Sequence, residues 1–174
     1  MVRFIPTALA AALCVALAAT ALAAPGDRIP QAKVETLNKT KIVVPDGFTA
    51  EKNVLLFSFG RDMQDAVDAW DAALTPDRDG TQVQVYNMPL IPNPGALVRG
   101  FISGGMRGIY KDKAVRDRVI VMYVEEKDYF PALGVADRTA PLIVVTDQAG
   151  IEIGRVQSTL NDTAVAEVRA LIAK

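Results

Sequence analysis

The segment that most constrains the fold lies near the C-terminus and reads APLIVVTDQAGIEIGRV, from Ala140 to Val156. Leu142–Thr146 and Ile151–Val156 are two runs of strand-forming residues. The short DQAG sequence between them is typical of a β-hairpin turn, because Asp and Gly tolerate a tight backbone. Asn161 is predicted to cap a helix over Asp162–Ile172. A hairpin followed by a helix does not fit a regular doubly wound parallel sheet.

The residues before this segment alternate between strand and helix patterns. Strands are predicted at Asn53–Gly60, Thr81–Met88 and Arg118–Val124, helices at Asp62–Leu74 and from Ala96 towards Tyr110, and a short helical turn in EKDYFPALGV. The first helix has Asp62 as its predicted N-cap and Trp70 on its apolar face. A proline-rich loop, PLIPNPG, precedes the second helix, whose four glycines predict a bend. This order predicts an α/β domain with helices on both faces of the sheet.

The first 23 residues have the features of a secretory signal peptide. Arg3 precedes an almost unbroken apolar run from Ala8 to Leu22, and Ala21-Leu22-Ala23 offers a small-x-small cleavage site. We therefore expect residues 1–23 to be cleaved and the protein to be periplasmic or secreted. An uncleaved anchor is the alternative interpretation.

The rest of the chain is predicted to form one domain with an extended segment in front of it. Residues 24–50 contain prolines, glycines and scattered polar residues, which favour an extended lead-in with one short strand at Thr40–Val44. Residues 51–174 are predicted to be the folded domain. The formal net charge of −1 and the lack of a basic stripe do not favour nucleic-acid binding.

The inventory of reactive side chains excludes several kinds of chemistry. The chain has no histidine and one cysteine, Cys14, which lies in the predicted signal peptide. The mature protein is therefore expected to have neither a thiol nor an imidazole. This would exclude thiol-disulfide exchange, cysteine peroxidases, serine-histidine triads and the ordinary Cys/His zinc sites. We expect no cofactor.

The segment GVADRTAPLIVVTDQAGIEIGRV resembles the thioredoxin-like superfamily, in which a loop carrying a cis-proline leads into an antiparallel hairpin. The resemblance implies a three-layer α/β/α sandwich whose mixed sheet ends in this hairpin and a C-terminal helix. It also implies a cis bond between Ala140 and Pro141, which an X–Pro bond adopts at a cost of about 0.5–1 kcal/mol. The alternative is an ordinary trans-proline that opens an edge strand.

Redox members of the superfamily carry a C-x-x-C pair at the start of the helix after the first core strand, facing this proline. Here DMQD, from Asp62 to Asp65, occupies that position, so the sequence departs from the redox pattern. The long connection after the Val83 strand resembles the peroxiredoxin-like branch. The FGRDMQ run, the proline loop and LIVVTDQAGIEIGRV are also similar to a cysteine-poor branch that includes the mitochondrial ATP-synthase assembly factor.

The resemblance implies a binding groove between the start of this helix and the proline loop. The candidate residues are Arg61, Asp62, Asp65, Arg138, Thr139, Ala140 and Pro141. Arg61 and Arg138 are expected to lie near each other and could hold a carboxylate, although solvated loop arginines are the common alternative. Asp62 and Asp65 could bind a cation or a basic peptide, or could simply stabilise the first helical turn. Two carboxylates alone are an incomplete site for a hard metal.

These residues lead to three hypotheses for function. The first is a non-redox thioredoxin-fold protein of the cell envelope that binds an extended peptide or protein segment and acts as an accessory or chaperone-like factor. The second is a metal-dependent or carboxylate-based enzyme that uses Asp62, Asp65 and a tyrosine, although the usual general base and nucleophile are missing. The third is a structural module of an envelope complex.

Overall fold

A seven-stranded mixed sheet forms the centre of the protein. The computed structural model describes residues 24–135 and 137–174, so the predicted signal peptide lies outside the described residues. The strands are β1 (Ala32–Thr36), β2 (Lys41–Val44), β3 (Lys52–Ser58), β4 (Val83–Pro92), β5 (Ile120–Val124), β6 (Leu142–Asp147) and β7 (Glu152–Gln157). Their order in the sheet is β2-β1-β5-β4-β3-β6-β7. The helices are α1 (Gln64–Leu74), α2 (Ala96–Ile109), α3 (Lys113–Arg118), α4 (Glu126–Ala132) and α5 (Asp162–Ile172), with short 3₁₀ turns at Arg61–Met63 and Thr75–Asp77.

The middle of the sheet is built around β3. This strand runs parallel to β4 and antiparallel to β6, while β4 continues parallel to β5 and β6 forms the antiparallel hairpin with β7. Asn53 to Ser58 are all buried, as expected of a strand covered on both faces. The predicted α/β class and the terminal hairpin are confirmed.

Alternate residues of β3 contribute to two separate hydrophobic cores. Val54 and Leu56 pack with side chains of α1 and α5 on one face. Leu55 and Phe57 pack on the other face with α4 and with residues that precede β3. Because successive side chains of a strand point to opposite faces, this single strand joins the three layers of the sandwich.

The C-terminal helix α5 begins as predicted. The side chain of Asn161 accepts a hydrogen bond from the backbone N–H of Ala164 at 2.9 Å, which satisfies a donor in the first turn. The helix lies close to β7, because a Cβ atom added to Gly154 would come within 2.6 Å of Leu171 Cδ2. Gly154 therefore allows the close approach between α5 and the sheet.

Residues 24–50 contain the predicted short strand at Thr40–Val44 as β2, and also a strand that was not predicted, β1. β1 and β2 form an antiparallel hairpin, and β1 also pairs with β5 through Thr36 and Ile120. Ile29 and Phe48 are buried in the core on the α4 face. The segment therefore covers part of that face. β1 was missed because most of its residues are exposed or half-buried, so it lacks the apolar run of a buried strand.

The structure tests two further expectations, around β4 and α2. β4 continues through the predicted proline loop to Pro92, and Pro89 lies opposite Ser58 at the last paired position with β3. On its other side β4 bridges Val119 at Asn87 and pairs with β5 from Leu90 onwards. Pro89, which has no N–H to donate, lies between these two contacts. α2 is continuous over 14 residues. Glycine makes a helix less stable but does not prevent helical backbone angles, so the four glycines do not interrupt the helix.

An ion pair between Glu152 and Arg155 lies inside β7, where the pairing with β6 has a bulge. Thr146 pairs with Glu152 and Val145 with Gly154, so Ile153 is skipped and the two charged side chains share one face. Arg155 Nε donates to Glu152 Oε1 at 2.7 Å, and its Nη1 donates to the carbonyl of Leu133 at 3.0 Å. The Glu152 side chain is almost fully buried.

We expect Glu152→Gln to lower the free energy of unfolding by about 3 kcal/mol, because it leaves the largely buried guanidinium of Arg155 without a counter-charge. Urea unfolding measures this value. The matched control is Glu167→Gln on the exposed side of α5, which should change stability by less than about 0.5 kcal/mol. Equal effects of the two substitutions would show that the ion pair contributes little.

Candidate functional site: the proline loop and the start of α1

The two halves of the predicted groove lie at the same end of the sheet. Phe57 of β3 pairs with Leu142 of β6, so the residues that leave β3 lie beside the residues that enter β6. The 3₁₀ turn at Arg61–Met63 follows β3, and the proline loop, defined here as residues 137–141, precedes β6. The register of the sheet therefore places both segments at one end of neighbouring strands.

Side-chain hydrogen bonds to the backbone hold the proline loop in place. Asp137 accepts from the backbone N–H of Thr139 at 2.9 Å and from its hydroxyl at 2.8 Å. These bonds lower the pKa of the Asp137 carboxyl. From the other side, Gln157 Nε2 donates to the carbonyl of Asp137 at 2.7 Å and to that of Ala140 at 3.3 Å. The loop is thus anchored to the end of β7.

The prediction of a cis bond between Ala140 and Pro141 is wrong. Among the described residues the cis bond joins Val44 and Pro45. Pro141 extends the hairpin by one position, because Leu142 pairs with Gln157 and the carbonyl of Pro141 accepts from the N–H of Ser158 at 3.2 Å. It is therefore a trans-proline that opens a strand, as in the alternative interpretation, but β6 pairs with β3 and β7 and is not an edge strand.

Arg138 is held against α4. Its guanidinium forms an ion pair with Glu126 at 2.5 Å and lies 4.6 Å from the centre of the Phe130 ring. Phe130 in turn makes an edge contact with Phe59, just after β3, at 5.9 Å between ring centres. About half of the Arg138 side chain remains exposed. The contact over an aromatic face orients the guanidinium while leaving part of it available to solvent.

The acidic residues on the other side of the groove are exposed. Asp62 lies in the 3₁₀ turn and Asp65 in the first turn of α1, while Met63 between them is buried. The prediction that Asp62 caps the helix is wrong, because the turn begins after Gly60 and α1 follows Met63 without a side-chain cap. Arg61 is exposed in the same turn, and its predicted joint grip with Arg138 remains a prediction.

A metal site is not formed by the described residues. Within 24–135 and 137–174, no three His, Cys, Asp or Glu side chains come together in a group that could hold an ion. The negative charges of Asp62 and Asp65 lie at the start of α1, where they interact favourably with the positive end of the helix dipole.

Trp70 links α1 to the proline loop. Its side chain is fully buried in the core, as predicted. The indole N–H donates to the carbonyl of Ser158 at 3.0 Å, and the backbone N–H of Ser158 reaches the carbonyl of Pro141. A chain of hydrogen bonds therefore connects the helix, the segment after β7 and the entrance to β6.

A polar cluster beneath the start of α1 was missed by the sequence analysis. Gln64 Nε2 donates to the hydroxyl of Tyr110 at 2.5 Å and to Asp68 Oδ1 at 2.8 Å, and Asn87 Nδ2 donates to the Tyr110 hydroxyl at 3.2 Å. Asn87 is buried in β4. A polar amide inside the apolar run VQVYNMPL was the one local sign of this cluster, since buried amides need partners.

Burial raises the pKa of the Tyr110 phenol to about 12, and the negative charge of Asp68 adds to the effect. The hydroxyl of Tyr110 therefore stays protonated at pH values at which an ordinary tyrosine is ionised. Tyr110 joins α1, β4 and the end of α2, but it does not lie among the predicted groove residues.

Comparisons with known proteins agree on the fold and on nothing finer. No protein-family model matches the chain, and no curated protein matches it in sequence. Solved structures do match. The exposed lipoprotein thioredoxin of Streptococcus pneumoniae superimposes with a TM-score of 0.58 at 13% identity, covering 83% of this chain and 100% of that one.

Two other solved structures give the same picture. The thioredoxin domain of a thiol-disulfide oxidoreductase from Bacteroides vulgatus has a TM-score of 0.61 at 13% identity and covers 87% and 99% of the two chains. BsSco, a member of the Sco family of cytochrome c oxidase assembly proteins, has a TM-score of 0.56 at 9% identity and covers 89% and 99%. The chain therefore has the thioredoxin-like fold that its sequence predicts.

We expect Tyr110→Phe to change the stability of the protein at high pH. Unfolded tyrosines ionise near pH 10, whereas folded Tyr110 keeps its proton until about pH 12. Between these values the unfolded state loses the proton first, so stability falls as pH rises. The free energy of unfolding should therefore decline less steeply above pH 10 in the variant than in the wild type.

The stability of Tyr110→Phe at neutral pH serves as the reference for its behaviour at high pH. At neutral pH the loss of the hydroxyl should cost about 1 kcal/mol, because Asn87 and Gln64 each lose a hydrogen-bond partner. Urea unfolding at a series of pH values measures both effects. Parallel pH profiles for the two proteins would contradict the assignment of a raised Tyr110 pKa.

Proposed function

We propose that this protein is a non-redox thioredoxin-fold protein of the cell envelope that binds an extended segment of another protein. The binding site would be the groove between the 3₁₀ turn at residues 61–63 and the proline loop. Its role would be accessory or chaperone-like. The observation that supports the proposal is that the segment after β3 and the segment before β6 lie at the same end of the sheet. By the superfamily resemblance, Asp62 to Asp65 stand where redox members carry their cysteine pair.

The distribution of cysteine supports a role other than disulfide exchange. Exchange within one chain requires two thiols, and Cys14 is the single cysteine of this sequence. The described residues contain exposed carboxylates where a reactive pair would stand. These carboxylates can interact with a partner but cannot form a mixed disulfide.

The proline loop offers both charge and backbone groups to a partner. Arg138 is oriented by Phe130 and half exposed, and a partner carboxylate could replace Glu126 as its counter-ion with little rearrangement. Thr139 is exposed and Ala140 is half-buried. The carbonyls of Asp137, Ala140 and Pro141 each accept one hydrogen bond within the protein and keep a second lone pair. An extended segment running beside the loop could donate main-chain N–H groups to them, which is a common mode of peptide recognition. We therefore expect a partner segment with at least one acidic residue.

The proposed location in the envelope rests on the signal-peptide pattern of residues 1–23. One structural neighbour, named an exposed lipoprotein thioredoxin, is compatible with it. Another neighbour is a member of a family of assembly proteins, and the sequence also resembles the mitochondrial ATP-synthase assembly factor. An accessory role in assembly is the form of the proposal that these likenesses favour.

Site-specific crosslinking in intact cells tests the groove. A photoreactive amino acid in place of Thr139 should trap a partner. The matched control replaces Thr81, an equally exposed threonine that precedes β4 at the opposite end of the sheet. The same crosslinked products from both positions, or none from Thr139, would count against the groove.

A pair of arginine variants tests the charge. Arg138→Ala should weaken the recovered complex by about tenfold, because a partner carboxylate loses its guanidinium. Arg169→Ala is the control, since Arg169 is also half exposed and also paired, with Asp77 at 3.0 Å, but lies on α5. Unchanged binding by Arg138→Ala, measured as partner recovered per unit of bait, would contradict the proposal.

A further inference from the structure

The outward face of α2 is apolar along its whole length. Leu97 is 92% exposed, Phe101 84%, Ile109 67% and Val98 46%. The other exposed positions after the first residue of the helix are glycines, at 100, 104, 105 and 108. Apart from its chain neighbours and the backbone of α2 itself, nothing in the described structure lies within 4 Å of a Cβ added at 100, 105 or 108. A surface helix normally turns such a face towards the core.

The polar side chains of α2 are turned towards the protein instead. The Arg99 guanidinium lies 5.4 Å from the centre of the Tyr123 ring, and Ser103 Oγ is 3.0 Å from the Tyr123 hydroxyl. No residue of α2 is buried. The exposed apolar side chains therefore do not help the helix to pack on its own domain, and water covers them in the isolated protein.

The charged side chains of α2 and of the groove beside it are mostly positive, although Asp112 directly follows Lys111. Between Asn93 and Lys111 the sequence contains Arg99, Arg107 and Lys111 and no Asp or Glu. A groove of about 670 Å³ lies between α2 and the β1–β2 hairpin. Its charged lining residues are Lys33, Lys39, Lys41, Arg99, Arg107 and the single carboxylate Glu35.

We propose that α2 is an interfacial helix that docks the protein on an anionic lipid surface. A bilayer with anionic headgroups would provide an apolar layer for Leu97, Phe101 and Ile109 and negative charge for the cations beside them, which is the combination that amphipathic surface helices recognise. Within residues 24–135 and 137–174, no helix is long and apolar enough to cross a membrane. The proposed contact is therefore with the surface of the bilayer.

Charge distinguishes this occupant from a second copy of the chain. A second copy packed on the apolar face would cover Leu97, Phe101 and Ile109. Its α2 has no Asp or Glu, so it would bring no carboxylate to the cations of the neighbouring groove. An anionic bilayer meets the same cations with opposite charge. The proposal is independent of the proline loop, so the crosslinking experiments on Thr139 can fail without affecting it.

Sedimentation with lipid vesicles tests the docking. The purified full chain should co-sediment with vesicles of phosphatidylcholine mixed with phosphatidylglycerol, and much less with vesicles of phosphatidylcholine alone. Added salt should weaken the binding, because it screens the headgroup charge. Residues before Ala24 are the same in the wild type and in every variant, so differences between variants report on residues after them.

Variants of the apolar face separate α2 from the rest of the chain. The double substitution Leu97→Ser with Phe101→Ser should lower the partition coefficient by more than about tenfold, since both side chains lose favourable transfer into the lipid. Leu160→Ser, at an exposed leucine outside α2, should leave it unchanged. Arg107→Gln with Lys111→Gln should reduce binding to anionic vesicles and its sensitivity to salt. Circular dichroism and thermal unfolding verify that each variant is folded.

Several outcomes would overturn the proposal. Wild-type protein that stays in the supernatant with both kinds of vesicle would do so, as would equal binding by the Leu97→Ser, Phe101→Ser variant. Analytical ultracentrifugation provides the other decisive result. A dimer that the double substitution dissociates would show that a second copy covers the face, and a stoichiometric protein partner lost with the same substitution would show that a protein does.

Discussion

The rest of the structure depends on the pairing of β3 between β4 and β6. This strand is buried on both faces and forms a parallel ladder on one side and an antiparallel ladder on the other. A slip of one residue would exchange Leu55 and Phe57 with Val54 and Leu56, so that every side chain would point into the wrong core. The same register determines where the chain leaves β3 and where it enters β6. Both sides of the candidate groove are therefore placed by the most deeply buried strand.

Local patterns were sufficient wherever neighbours in sequence make the decisive contacts. The DQAG turn, the capping of α5 by Asn161 and the apolar face of α1 all depend on residues a few positions apart, and the structure agrees with them. The path of residues 24–50 depends on partners far along the chain, such as Ile151 for Arg28 and Ile120 for Thr36. No periodicity within that segment could reveal those partners.

The candidate site was predictable in its position but not in its contacts. The superfamily resemblance placed the start of α1 and the proline loop at one end of the sheet. It could not show that Arg138 would be held by Glu126 and Phe130, because α4 enters the site through tertiary packing. It also predicted a cis Pro141, whereas the hairpin ladder continues through that residue as an ordinary strand entrance.

Trp70 is the only tryptophan in the chain, and its side chain is fully buried between α1 and the sheet. Its indole is one hydrogen bond away from Ser158, which is itself one hydrogen bond away from Pro141. A movement of the proline loop would be transmitted to the surroundings of this one ring. The protein thus contains a natural fluorophore whose emission colour and lifetime report on that loop without any label.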